Sequence, residues 1–518
     1  MAPKTTPDWD EIGESYPSLR RAMGRRIAVP ERRELREPAP INERLLQCIW
    51  YDGHFHAENL RLADGRSAEI RSPGRWNAEA GPDFHGAEIV IDGERAKGDV
   101  ELHLRASDWR AHRHGGDPAY RTVILHVVLD IDDGQVSDAT PTGGAIPRLE
   151  LRPVLHGDLE SLGHVITMED YPYERPAMVG RCHRLLSQLD RDDQVTAFFE
   201  AAAVRRMKGK IERLESQLGG ADFEQVFHQA LLTAMGHRGS KTLFFLLAKR
   251  VPIAELRALT RPWTGRARAL AAEAVLLHVA NLIRPQPQTE PTWDEETMAH
   301  VDALHRVWAE LGGHFSDRLI PQTAKWHQGI RPVNFPSRRI AGLSHLAVGE
   351  VAGEEGLFTA LMRRCEEFAE SGRDGKIIQR QLGDLVALLA VDEPSDHWAR
   401  RHTLGGKRLA KTVRLIGEGR ARSVLFNALL PLAILWAKRR RRRRVLEWAH
   451  AALREFPALE ENTVTRFMKY RLFTTTNPPK SLFRREMRQQ ALFHIFTDCC
   501  DSVTTSCDQC AFFARLTQ

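Results

Sequence analysis

The sequence predicts an α+β chain, with a small mixed α/β module near the N-terminus followed by a large all-α helical region. Between residues 41 and 156 the apolar residues mostly recur at every second position, in short runs broken by Gly, Asp and Pro. From about residue 186 onward they recur at three-and-four spacing, the period of an amphipathic helix. At 518 residues the chain also exceeds what one hydrophobic core organises.

Residues 1–40 are rich in Pro, Arg and Glu without sustained apolar periodicity, and read as a disordered basic lead-in. Order begins at INERLLQCIWYDG, where Leu45, Leu46, Ile49 and Trp50 recur at helical spacing and Asn42 is placed to cap the start. The runs AEIVIDG, GDVELHLR, TVILHVVLDID and PRLELRPV are short strands, the first two forming a hairpin that turns near Asp92-Gly93. These elements make residues 41–156 one α/β module. Residues 157–185, with YPYERP, read as a linker. Residues 186–490 hold separate helices with no fixed-period repeat, and residues 491–518 form a Cys-rich tail.

Composition narrows the function classes. The chain is 42% hydrophobic and 27% charged, ordinary for a folded soluble protein. Lys and Arg number 74 against 68 acidic residues, a mild basic excess that suits a nucleic-acid partner without requiring one. No run nears ~18 uninterrupted apolar residues, so no membrane span is expected. The first residues lack a signal-peptide pattern, and the seven cysteines do not form a secreted disulfide framework. A cytoplasmic location is the expectation. The oligomeric state is not legible.

The chemistry concentrates on one strand. In Asp99-Val100-Glu101-Leu102-His103-Leu104-Arg105 alternate side chains share a face, so Asp99, Glu101, His103 and Arg105 point one way and the aliphatic residues point to a core. Pro82-Asp83 sits in a Gly-flanked turn that feeds the hairpin, which can bring Asp83 beside Glu101 or His103. Asp83, Asp99 and Glu101 with an imidazole make an oxygen-rich pocket suited to Mg²⁺ or Mn²⁺. A solvated sheet face gives the same pattern. The next segment gathers Asp108, Trp109, His112, His114, Asp117, Tyr120 and His126. Asp117-Pro118 suits the start of a short helix, and four histidines between 103 and 126 offer a second, nitrogen-rich way to hold a transition metal.

The run from NERLLQCIW through WNAEAGPDFHGAEIVIDG, GDVELHLRASDW, H-x-H-x-x-DPAY and VILHVV resembles the bacterial family catalogued as domain of unknown function 2851. IRPVNFPSRRIAGLSHL, SVLFNALLPLAIL and the Cys-bearing tail extend the resemblance over most of residues 41–515. That family supplies no activity to carry over. The N-terminal part also resembles, more loosely, the PD-(D/E)xK restriction-endonuclease-like nucleases, through Pro82-Asp83, fifteen residues, then Asp99-Val100-Glu101 with Glu in the usual Lys position. The offset frame Glu101-Leu102-His103 puts His in that slot, and Glu43 matches a frequent extra acid. This resemblance implies phosphodiester hydrolysis on nucleic acid. Asp83, Asp99 and Glu101 would bind the metal, His103 or Glu101 would help deprotonate water, and Arg105 or Arg75 would steady the phosphate. The alternatives are a non-catalytic nucleic-acid or protein-binding scaffold on a degenerate nuclease fold, and a metal hydrolase built on the histidines.

Two further features carry expectations. Cys507-x-x-Cys510 with Cys500 has the spacing of a Zn²⁺ knuckle, against plain thiols on a terminal helix. Lys438 to Arg444 is a run of seven cations, either a phosphate-binding patch or a solvated helix end.

Overall fold

At Asp92-Gly93 the backbone is left-handed twice, with φ of +47° and +87°, and the chain reverses in two residues. The turn pairs Ile91 with Glu94 and joins β4 (Phe84–Ile91) to β5 (Glu94–Arg105) as an antiparallel hairpin. In this computed structural model the described residues are 9–22, 41–77, 81–166, 168, 171, 192–236, 238–283, 293–322, 324, 326, 334–473 and 483–500.

The hairpin is the middle of a mixed sheet. On one side β4 pairs antiparallel with β2 (Ser67–Ser72), which pairs with β1 (Leu60–Arg61), while β3 (Arg75–Trp76) pairs with the start of β4. On the other side β5 runs parallel to β6 (Val123–Asp130), and β6 runs parallel to β8 (Ala145–Glu150), which pairs antiparallel with β7 (Ser137–Ala139). A parallel pair cannot be closed by a tight turn. The chain between β5 and β6 therefore crosses one face of the sheet, carrying α3 (Asp108–Ala111) and two short 3₁₀ turns. The opposite face is covered by α2 (Glu43–Asp52), whose Leu45, Leu46 and Ile49 pack in one core with Val100, Leu102, Leu125 and Val127. Asn42 Oδ1 accepts the Leu45 N–H and starts that helix.

The module's core reaches past the last strand. Leu159 and Leu162 of α4 (Leu159–Val165), with Ile166 and Tyr171, belong to it, although the sequence places these residues in a linker. Among the described residues, the region from Asp192 onward is mainly helical around a second core, which shares no buried residue with the first. That core also takes in Trp9 and Tyr16 of α1 (Trp9–Ala22), so part of the expected disordered lead-in is a packed helix. Trp9 stacks on His450 with ring centroids 4.6 Å apart.

The basic run is not one continuous helix. Helix Leu430–Arg439 ends inside it, Arg441 is left-handed at φ +54°, and helix Arg443–Glu455 begins beyond the turn. Arg439, Arg442, Arg443 and Arg444 pair with Glu215, Glu366, Glu447 and Glu370, so much of the charge expected for phosphate is spent on acidic neighbours. The segment Glu418–Arg439 is long and apolar enough to cross a membrane by length and composition. Of its most apolar window, 72% is buried inside the protein, as in a core helix.

Candidate metal centre

His103 on β5 and His112 and His114 on the crossover meet over the sheet. His103 Nε2 lies 3.1 Å from His112 Nδ1 and 3.3 Å from His114 Nε2. Glu101, two residues before His103 and therefore on the same face, adds a carboxylate. Its Oε1 lies 3.6 Å from His103 Nε2 and 3.4 Å from His114 Nε2. The backbone explains why two histidines only two residues apart converge. Arg113 between them is left-handed at φ +61°, which kinks the chain as α3 ends and the 114–116 turn begins. Tyr120 stacks on His114 with centroids 3.8 Å apart, and Trp109 packs against His126 at 5.2 Å. Tyr120 is presented by the Pro118–Tyr120 turn, whose start Asp117 caps by accepting the Ala119 N–H.

A chain of hydrogen bonds sets the protonation of His103. Arg148 is fully buried on β8, donating through Nε and Nη2 to Asp138 at 2.6 Å each and through Nη1 to Asp133 at 2.5 Å. Burial opposes the charge on Asp138, but its bonds to Arg148 and His126 prevail and hold it below the usual carboxylate range. The carboxylate accepts from His126 Nδ1 at 2.7 Å, and burial keeps His126 neutral. A neutral His126 with its proton on Nδ1 has only a lone pair on Nε2. That lone pair accepts from His103 Nδ1 at 2.9 Å. Burial, then the neighbouring histidines, push His103 down to about 2, so this ring is neutral as well. Its one proton is on Nδ1, and Nε2 presents a bare lone pair to His112, His114 and Glu101.

The acids behind this nitrogen cluster are held apart by use. Asp83 donates its backbone N–H to Glu101 Oε2 at 3.0 Å, while its carboxylate accepts from Gln47 Nε2 at 2.5 Å and Leu102 N at 2.9 Å. Glu101 Oε2 is thereby tethered and Oε1 is left facing the histidines. Burial first, then Asp83 and Glu43, raise Glu101; burial first, then Glu43, raises Asp83. Glu43 on α2 is also raised, chiefly by burial, and its charge couples to His112. Crowded acids with raised pKa values beside neutral imidazoles form a site that a cation relieves.

The donors fit a metal ion. Zn–N bonds of about 2.0–2.1 Å in tetrahedral geometry put ligand atoms about 3.3 Å apart. His103 Nε2 lies at 3.1 to 3.6 Å from His112, His114 and Glu101, and His114 lies 3.4 Å from Glu101. His103, His112 and His114 bring their ligand atoms within 4.8 Å of one another. His103 and His114 are buried and His112 is exposed, so the cluster opens to solvent on one side.

With this geometry in view, relatedness can be stated. The family model described as "Protein of unknown function (DUF2851)" matches residues 43–463. The chain belongs to this family. No curated protein and no solved structure matches it.

In this family member the structure separates the sequence-predicted site residues. It unites Asp83, Glu101, His103, His112 and His114, with Glu43, Trp109, Tyr120 and His126 around them. Asp99 is not among them. Its carboxylate accepts from Gly86 N at 3.0 Å and Thr122 Oγ1 at 2.6 Å, and it faces His85 at 3.2 Å. The expected trio of Asp83, Asp99 and Glu101 is therefore corrected. Pairing slips on both sides of β5 next to Asp99, with the extra residue on β4 between Phe84 and Ala87 and on β6 between Val123 and Leu125. Arg75 and Arg105 are exposed, and Asp108 accepts the Arg105 N–H at 3.1 Å, bracing the strand end. Cys500 is half-buried at the end of the last described helical segment; Cys507 and Cys510 lie outside the described residues. Sequence reasoning missed Gln47, Asp138 and Arg148. The available signal was an arginine at an otherwise apolar strand position in IPRLEL.

Proposed function

We propose that the N-terminal module is a metal-dependent hydrolase that cleaves phosphodiester bonds in nucleic acid, its ion held by His103, His112, His114 and Glu101. One observation carries the reading: three imidazoles whose ligand atoms lie within 4.8 Å of one another, with the Glu101 carboxylate 3.4–3.6 Å from two of them, beside an opening to solvent. Three nitrogen donors favour Zn²⁺, with Mn²⁺ or Fe²⁺ next, over the Mg²⁺ that an all-oxygen pocket selects. An ion there would lower the pKa of a bound water and offset charge on a phosphoryl oxygen. His126 and Asp138 hold His103 in the ligating tautomer. Glu43, coupled in charge to His112, is the carboxylate left to accept a proton from the attacking water.

Nucleic acid is the substrate favoured by three supports. Pro82-Asp83 and the offset frame Glu101-Leu102-His103 are the part of the hairpin that resembles PD-(D/E)xK nucleases once Asp99 is set aside. Arg113 and Arg121, neighbours in sequence to His112 and Tyr120, are exposed. The chain also carries a net positive charge of +6. The test is cleavage of single-stranded, duplex and branched DNA and RNA by protein loaded with Zn²⁺, Mn²⁺ or Mg²⁺. We expect cleavage with Zn²⁺ or Mn²⁺ that is lost in His103→Ala and His114→Ala. Protein that binds the ion stoichiometrically but leaves all of these substrates intact would overturn the assignment of substrate. Protein that binds no ion would overturn the centre itself.

A further inference from the structure

A second polar cluster lies in the helical region, remote in sequence from the histidine centre. Helix Gly265–Val279 carries Glu273, helix Glu295–Leu311 carries His300, and the turn His397–Arg400 brings His397 and Trp398 against them. Glu273 is buried, and its Oε1 accepts from Trp398 Nε1 at 2.6 Å and faces His300 Nε2 at 3.1 Å. Glu273 thus fixes His300 by one nitrogen and leaves Nδ1 for other use. The rings of His300 and His397 stack 4.4 Å apart and 6° from parallel.

His397 is the unusual member. It is only 3% exposed, yet neither ring nitrogen has a hydrogen-bond partner among the described residues. A buried donor and acceptor left unmet are costly, and native structures rarely tolerate both in one ring without a use. His397 and His300 line a cavity of about 420 Å³, within the range of small-molecule sites. Its other walls are small and apolar, with Leu270, Ala299 and Ala303, and exposed Arg266 stands at its mouth. The one acid on its lip, Glu296, is engaged by buried Arg401 at 2.8 Å and faces Arg408 at 3.7 Å. Glu273 also favours the charged form of His300, although burial opposes it.

We infer that this cavity is a binding site for a small organic phosphate monoester, with the phosphate held between Arg266, His300 and His397 and the organic body against the Leu270 and alanine wall. Three donors from three separate elements suit the several oxygens of a phosphate. The volume exceeds what a bare oxyanion needs, and the apolar wall asks for a carbon skeleton. The site is independent of the hydrolase reading, since none of its residues belongs to the N-terminal module.

The test is calorimetric titration of the full chain with phenyl phosphate, inorganic phosphate and phenol. Phenyl phosphate should bind more tightly than inorganic phosphate, and phenol should give no heat. His397→Phe keeps the stacked ring and removes both nitrogens, and should weaken phenyl phosphate about tenfold or more. Arg266→Gln, at an exposed position where folding is not at stake, should weaken it several-fold. His103→Ala should leave it unchanged. The inference is overturned if wild-type protein gives no heat with phenyl phosphate at millimolar concentration. It is equally overturned if both cleft variants bind like wild type, or if His103→Ala abolishes binding.

Discussion

His126 Nδ1 lies 2.7 Å from Asp138 Oδ2, and this contact decides which nitrogen of His103 is bare. The proton on His126 is pinned by a carboxylate that Arg148 keeps charged, so the next ring in the chain must donate from Nδ1. Outer partners of this kind fix ligand tautomer and orientation, and their loss typically weakens metal binding ten- to hundredfold. His126→Ala should therefore weaken Zn²⁺ by about that factor while far-UV circular dichroism stays unchanged. His126→Gln, able both to accept from His103 and to donate to Asp138, should recover most of the affinity. Competition against a chromophoric chelator reads both, and equal affinities in all three proteins would refute the relay.

Removing a proposed ligand should act on stoichiometry. His103→Ala and His114→Ala should each abolish one bound equivalent of Zn²⁺ in elemental analysis of purified protein. His112→Ala should leave a weaker site, because the exposed ligand is the one water can replace most readily. Retention of a full equivalent in all three variants would disprove the centre.

Asp99 separates the strand-alternation reading from the folded geometry. Asp99→Asn should leave metal content and cleavage unchanged, because its oxygens serve Gly86 and Thr122. It should lower stability by about 1 kcal/mol, the worth of one hydrogen bond. Loss of bound metal in this variant would return Asp99 to the site.

The buried guanidinium gives a larger effect. Arg148→Met should cost about 3–5 kcal/mol in urea unfolding, since Asp138 and Asp133 lose their buried counter-charge. A cost below about 1 kcal/mol would mean that water already reaches the pair.

Stability should also fall in mild acid. Burial pushes His228 and His278 in the helical core down to about 4, while unfolded histidine titrates near 6.5. Between these values the unfolded chain takes up protons that the folded chain refuses, so stability is full above about pH 6.5 and declines as pH falls toward 4. The slope is at most about 1.4 kcal/mol per pH unit for each such group. Urea midpoints at pH 7, 5.5 and 4.5 should fall in that order, and His228→Phe should flatten the trend. A flat profile in wild type would count against these rings being buried and neutral.

Local features were the legible ones. The Asn42 cap, the Asp92-Gly93 turn and the Asp117-Pro118 turn each depend on a few adjacent residues, and each forms where its chemistry predicts. The α+β class was legible for the same reason, since period two and period three-and-four are local patterns. Pairing between distant segments was not. The slip between Phe84 and Ala87 is one residue in size, and an odd shift moves a strand's side chains to the other face. That slip lies on β4, and within it the Gly86 N–H bonds the Asp99 carboxylate, a use that no local pattern announces. Asp138 and Arg148 meet His126 only because β6 and β8 are parallel, with His126 opposite Arg148, a register that no local pattern encodes. Helix α1 escaped because Pro17 lies inside it and its two buried aromatics, Trp9 and Tyr16, are seven residues apart.

The unequal exposure of the three histidines bears on how the proposed centre would acquire an ion. His103 and His114 are buried, while His112 is exposed where α3 ends. A centre of that build would load and empty through its one exposed side. Its occupant should then follow the metals supplied during growth and purification, and the same protein prepared in two media should differ in metal content with no change of fold.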